Sequence, residues 1–191
     1  MDARPLSNDG ILAERFDAAV IGLGPAGTQS ALVLARFGMK VLAVGREPPH
    51  DGMRSGWRGL GSIALRLARE AAEALPGSGA KVMPGEAQGL EWSAGRYAFS
   101  VGELRFEAEH LVLATGRPSR PDRLAAGMDV DRAGGGLIET DGNFATSHGR
   151  LHAVGDLADG CCQSVQNALG SGHLAARHIA MAVLAWRRRA A

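Results

Sequence analysis

Residues 16–45, "FDAAVIGLGPAGTQSALVLARFGMKVLAVG", decide the fold. Ala19 to Ile21 form an apolar run too short for a surface helix, and they read as a buried parallel strand. Gly22, Gly24 and Gly27 follow with the spacing G-x-G-x-x-G. The pattern then predicts a helix from about Pro25 to Phe37, opened by proline in its first turn and stopped at Gly38. Val41 to Val44 give a second strand. Glycine spacing alone describes a tight turn; between a strand and a helix it describes a dinucleotide site. The first glycine permits the turn, the second lets a pyrophosphate approach the backbone, and the third lets helix and strand pack closely. Pro25, Ala26 and Gly27 open the helix, whose free N–H groups and positive dipole end suit phosphates.

One element of that fingerprint is absent. The second strand should end in Asp or Glu, which holds the ribose hydroxyls. Here "VLAVGRE" ends in Gly45, followed by Arg46 and Glu47. Glu47 reaching back to the ribose is one reading. Arg46 holding a 2′-phosphate, and so favouring NADP, is another. A loosely held adenosine end is the third.

Beyond Gly45 the chain keeps alternating between helix and strand signals. A loop rich in Gly, Pro and Arg spans Gly45 to Gly61, and a helix follows with Ile63, Leu67, Ala71 and Ala74 on one stripe. From Leu90 to Phe106 the period becomes two, with Tyr97, Phe99 and Val101, then Leu104 and Phe106. Gly102-Glu103 between them suits a two-residue hairpin turn. "HLVLATG" reads as another buried strand, "RLHAVGD" as the last strand, and residues 161–186 as the last helix. The fold class is therefore α/β: a parallel sheet flanked by helices, with a small antiparallel β-meander. A polar arm, residues 1–15, precedes one domain over residues 16–191.

Composition narrows the function classes. A net charge of +1 argues against nucleic acid or a membrane surface as the main partner. Arg187, Arg188 and Arg189 form a basic cluster that reads as a solvated helix end. No run approaches the roughly 18 apolar residues of a membrane span. "MDARPLSNDG" lacks the basic-then-apolar pattern of a signal peptide, so a cytoplasmic address is expected. In that compartment a permanent disulfide is disfavoured.

The far end of the chain bears on which dinucleotide is bound. "LVLATGRP" at 111–118, "TDGNFATSHGRLHAVGD" at 140–156 and "CQSVQNALGSGHLAARHIA" at 162–180 resemble the FAD-binding half of thioredoxin-reductase-like flavoproteins. So does "DAAVIGLGPAGTQSALVLARFGMKVL" at 17–42, and "HDGMRSGWRGLGSIALRLAREAAEAL" resembles a shortened loop and helix of the thiol-oxidising branch. The resemblance covers most of the chain from Asp17 onward and implies a Rossmann-like FAD-binding domain. It implies that Asp156 holds the ribityl chain, that the backbone at Gln163 and Ser164 faces the flavin pyrimidine edge, and that Thr115, Gly116 and Ala87 line the adenosine side. A helix dipole at that edge stabilises negative charge on reduced flavin. The alternative for Asp156 is a turn former.

The chain also departs from that family. Its members carry an NADPH domain between "ATG" and "GD", usually with the redox C-x-x-C. Here 38 residues separate Gly116 from Gly155, among them Pro118, Pro121 and the run Gly134 to Gly136. A single βαβ unit needs about 30 residues of regular pattern, so a complete second domain has no room between residues 117 and 154.

Cys161 and Cys162, adjacent at the mouth of the last helix, are the weak catalytic candidates. A helix N-terminus favours thiolate, and a disulfide between neighbours is strained and labile. Against this, successive helical side chains diverge by about 100°, and small buried cysteines often only fill space. No metal site and no Ser/His/Asp triad is apparent; His173 and His178, five apart, are a poor pair on one helix face. Arg54 and Trp57 could cover a flavin or bind a substrate, or be ordinary surface and half-buried residues.

Three functions follow. The first is an FAD-dependent oxidoreductase taking electrons from an external protein, small molecule or thiol. The second is a non-catalytic flavin-binding subunit, in a homodimer or with a partner chain that supplies the missing domain. The third is an NADP-binding Rossmann protein.

Overall fold

The computed structural model describes residues 13–45, 62–116, 124, 128–161 and 163–190. Strand β1 (Glu14–Ile21) leads through the glycine turn into helix α1 (Pro25–Arg36) and strand β2 (Val41–Gly45). Helix α2 (Ser62–Ala74) and strand β3 (Lys81–Pro84) follow. The meander is β4 (Ala87–Ser93), β5 (Arg96–Val101) and β6 (Leu104–Leu113), and β7 (Leu151–Ala153) and α3 (Val165–Ala190) close the chain.

The sheet runs β3-β2-β1-β6-β5-β4, and β7 also pairs with β6. Strand β6 joins the two kinds of pairing. Its first half is antiparallel to β5 from Val101↔Leu104 to Tyr97↔Ala108, across a turn where Gly102 has φ 59°. Its second half is parallel to β7 from Leu111↔Leu151 to Leu113↔Ala153, and its other edge is parallel to β1 from Glu14↔Phe106 to Ile21↔Leu113. The sequence splits this strand into two; the structure makes it one ten-residue element. Its alternating half serves the meander and its continuous apolar half the buried parallel sheet.

Helices α1 and α3, with Ala71 of α2 and Leu75 just after it, cover one face of the sheet over Ala18, Val20, Val41, Ala43 and Val112. The other face, with Ile21, Val44, Leu111 and Leu113, is covered by Tyr97, Phe99 and Val101 of the meander and by Met128, Val130 and Ile138. The helices thus lie on one side and the meander on the other.

Three sequence readings need correction. The buried stripe of α2 is Ala64, Ala68, Ala71 and Ala72, whereas Ile63 and Leu67 are 63% and 47% exposed. Both stripes repeat every three to four residues, so periodicity alone cannot choose between them. The short alanines win because they let α2 approach Val165 at the start of α3. In the meander, Leu104 is 50% exposed at the hairpin, and the inward alternation resumes at Phe106 and Ala108. The last helix spans 165–190 rather than 161–186, because Ser164 starts it: the Ser164 Oγ accepts the Asn167 N–H at 3.1 Å.

Between β6 and β7 the described residues hold one short 3-10 turn, Gly134–Gly136, and isolated bridges such as Arg132↔Ile138. No helix of the described residues is long and apolar enough to cross a membrane.

Candidate functional site

The three glycines do different things. Gly22 has φ 103°, and a Cβ there would lie 2.2 Å from the Ala114 carbonyl oxygen. At Gly27 it would lie 1.8 Å from the Gly22 carbonyl oxygen. Both close approaches hold turn, helix and β6 together. Around Gly24 a Cβ meets nothing within 4 Å. That glycine has ordinary dihedrals, φ −70° and ψ −176°, and no side chain caps the helix it starts. The first N–H groups of α1, those of Ala26 and Gly27, have no carbonyl before them in the helix, and Pro25 brings none of its own. The turn therefore has open space beside Gly24, while Pro25, Ala26 and Gly27 after it are not among the residues lining the adjoining cleft.

A cleft of about 710 Å³ opens from this turn. Gly22, Leu23 and Gly24 line it beside Gly45, Thr115, Gly116, the β3–β4 turn residues Gly85 and Glu86, and Ala87 at the start of β4. The sequence reading singled out Gly22, Gly24, Ala87, Thr115 and Gly116, and the structure brings all five into one cavity. Gly85 and Glu86 were not singled out. Their signal is weak, because a four-residue strand followed by "GEA" has no periodicity to read. The open space at Gly24 and the glycine-rich lining suit the close approach of a phosphate-bearing ligand to the backbone.

The other predicted residues lie around the N-termini of α1 and α3. Gly155, with φ 65°, sits against α1: a Cβ there would lie 3.0 Å from the Ala26 Cβ. The Ser171 hydroxyl accepts the Gly155 N–H at 3.0 Å and donates to the Ala168 carbonyl at 2.9 Å, anchoring this segment on α3. Asp156 follows, half-buried, in a 3-10 turn. Gln163 is exposed, and the Ser164 hydroxyl is spent on the helix cap. The "GD" segment, distant in sequence, thus abuts the start of the glycine-turn helix. Asp156, Gln163 and Ser164 are not among the residues lining the cleft at Gly24.

Helices α1 and α3 touch closely at this joint. A Cβ on Gly172 would lie 2.2 Å from the Ala26 carbonyl oxygen, and the Ser30 hydroxyl lies 2.9 Å from that oxygen and 3.1 Å from the Gly172 carbonyl. The sequence analysis did not single out Gly172, since a glycine within a long helix reads only as a weakness.

Cys161 lies in the turn after Ala158, partly buried, four residues before α3 begins. Cys162, Arg46, Glu47, Arg54 and Trp57 lie outside the described residues. Among the described residues no group of three His, Cys, Asp or Glu is arranged to hold a metal ion.

A feature that sequence reasoning missed is a histidine pair across elements. His152 of β7 and His178 of α3 approach to 3.2 Å between Nε2 and Nδ1, so His178 pairs with β7 and not with His173. His110 of β6 is buried nearby, and the Nδ1 atoms of His110 and His152 have no hydrogen-bond partner among the described residues. Burial pushes the imidazoles of His110 and His152 down, to about 4 and about 3, aided by neighbouring positive charge. Both rings are neutral at physiological pH.

Known structures share this fold. No curated protein matches the chain in sequence. Among solved structures, thioredoxin reductase from Lactococcus lactis superposes with a TM-score of 0.73 at 16% identity, covering 86% of this chain and 97% of that one. The Gloeobacter violaceus thioredoxin reductase gives 0.73 at 16%, covering 90% and 96%. A ferredoxin-flavin thioredoxin reductase from Clostridium acetobutylicum gives 0.73 at 15%, covering 91% and 99%. These likenesses are of fold. The sequence profile of the pyridine nucleotide-disulphide oxidoreductases matches residues 16–126, more than half of the chain, from within the first strand through the glycine turn and past the end of β6. With its glycine turn, its cleft and this match, the chain belongs to the pyridine nucleotide-disulphide oxidoreductase family.

Proposed function

We propose that this chain is an FAD-dependent oxidoreductase of thioredoxin-reductase-like type that receives electrons from an external donor or a small thiol. The observation carrying this reading is the seating of Gly155, the residue before Asp156, against Ala26, beside a glycine turn left open at Gly24. That arrangement gives one extended molecule a phosphate seat, an adenosine cleft and a carboxylate for a polyol. FAD supplies hydride or electron transfer when bound. The residues of the chain bind and orient it. The Ala26 and Gly27 N–H groups face the pyrophosphate, and the backbone of Thr115, Gly116 and Ala87 borders the adenosine. Asp156 accepts from ribityl hydroxyls. The start of α3, at Gln163 and Ser164, presents its positive dipole end to the ring.

The short connection between β6 and β7 favours a donor other than a nicotinamide held in an inserted domain. A structural neighbour described as a ferredoxin-flavin thioredoxin reductase supports a protein donor. The same short connection supports a second reading, a flavin-binding subunit whose nicotinamide domain comes from another chain or a second copy. A cytoplasmic setting accords with both. The test begins with mass analysis of the ligand released from purified protein, for which FAD is expected. NADP, or no uptake of FAD on reconstitution, overturns both readings. Anaerobic addition of a dithiol, NADPH or a reduced iron–sulfur protein then shows which reductant bleaches the flavin. Bleaching by the dithiol or the iron–sulfur protein supports the enzyme, and bleaching by none of the three without a second chain supports the subunit.

A further inference from the structure

Gly45, where the fingerprint calls for an acid, has no room for one. A Cβ on it would lie 2.8 Å from the Leu23 Cγ, 2.9 Å from its Cβ and 2.9 Å from its backbone nitrogen. The nitrogen cannot swing away as a side chain would. Leu23 itself is 5% exposed and packed into the core beneath the helices. Any side chain at the end of β2 must therefore displace the glycine turn. The ribose of a dinucleotide has to be held from elsewhere.

The β3–β4 turn is fastened at that spot. Gly45 pairs with Pro84, and the Gly45 carbonyl accepts the Gly85 N–H at 3.0 Å. Gly85 has φ 141°, and a Cβ there would lie 2.7 Å from the Val101 Cγ1, so glycine alone lets the turn curl against the meander. The next residue is Glu86, and it lines the same cleft as Gly22, Gly24 and Gly45. Ala87, which starts β4, lines it too. A carboxylate thus stands one residue from the backbone that is bonded to the vacant acid position.

Resting on the FAD reading above, we propose that Glu86 holds the adenosine ribose of the bound dinucleotide, in place of an acid at position 45. A carboxylate accepts both hydroxyl protons of a ribose cis-diol and repels a 2′-phosphate. Glu86 therefore also sets selectivity for a 2′-hydroxyl dinucleotide over a 2′-phosphorylated one.

The test compares dissociation constants of the full chain for FAD and FMN, followed by flavin fluorescence. FMN lacks the adenosine half and serves as the internal control. Glu86→Ala should weaken FAD about ten- to a hundred-fold and leave FMN within two-fold. An unchanged FAD constant, or equal loss of FAD and FMN, overturns the proposal. So does restored FAD affinity when Gly45→Glu is added to Glu86→Ala; the expected result is that the double variant gains nothing and melts at lower temperature. In competition against FAD, wild type should prefer ADP to its 2′-phosphorylated form, and Glu86→Gln should narrow that preference. An undiminished preference in Glu86→Gln overturns the selectivity claim. If wild type binds no FAD at all, the failure is that of the functional reading, and it is seen before any variant is made.

Discussion

Gly172 lies so close to Ala26 that a methyl group on the glycine would stand 2.2 Å from the alanine carbonyl oxygen. Helix α3 thus rests on the first turn of α1 backbone to backbone, at the residue that also meets Gly155. Gly172→Ala must push the two helices apart, at about 1–3 kcal/mol. It should also weaken FAD binding if, as proposed, the N–H groups of that turn hold the phosphates. Gly170→Ala is the control. Its Cβ meets nothing within 4 Å, and better helix propensity should add up to about 1 kcal/mol. Urea unfolding of the two variants checks the opposite signs.

The glycine turn separates packing from binding. Gly24→Ala keeps allowed dihedrals and open surroundings, so it should cost about 1 kcal/mol or less in stability. Its methyl group occupies the space assigned to the pyrophosphate, and FAD affinity should fall ten-fold or more. Gly27→Ala strikes the Gly22 carbonyl and should cost about 3 kcal/mol or more. Equal loss of stability in both variants would show that the turn is built for packing alone.

Asp156 is half-buried in a turn that the Ser171 hydroxyl already anchors through Gly155. Asp156→Ala should therefore leave the empty protein nearly as stable as before. If the carboxylate holds the ribityl hydroxyls, FAD affinity falls by about 1–3 kcal/mol, roughly ten- to a hundred-fold. An unchanged dissociation constant identifies a turn former.

His110 and His152 give stability a pH dependence with a definite sign. Their native imidazoles bind a proton only near pH 4 and pH 3, whereas the unfolded chain takes it up near the ordinary value of 6.5. Below that value the unfolded state holds more protons, so stability falls with falling pH, by up to about 1.4 kcal/mol per pH unit for each ring. The window from pH 6.5 to 5 is the cleanest, since carboxylates titrate lower. Urea midpoints should drop across it in wild type and drop less in His152→Gln. A parallel slope in the variant would assign the effect to other groups.

Legibility in the sequence followed the range of the forces involved. The glycine turn was readable because its three glycines fall within six residues, and β1, α1 and β2 followed from it. The α2 stripe was not, because two stripes offset by one residue satisfy the same period and only the arrival of α3 selects the alanines. Strand β3 is four residues long and half exposed, too short to show a period. The His152–His178 contact and the Gly172–Ala26 approach join residues far apart in the chain, and no local pattern encodes them. The cleft was half legible: Thr115, Gly116 and Ala87 came from family resemblance, while Glu86 needed the fold to carry β3 to the edge of Gly45.

Strand β6 has both edges paired, to β1 on one side and to β5 and then β7 on the other. Neither the meander nor the parallel layer can detach without breaking it. The amides of residues 111–113 should accordingly exchange with solvent only through global opening, in a single cooperative unit. Thr115 and Gly116 follow directly on its end, and Gly22 is wedged against Ala114. The cleft is therefore fastened to the slowest-opening part of the molecule, and a ligand seated there is released by leaving a rigid groove, not by the groove coming undone.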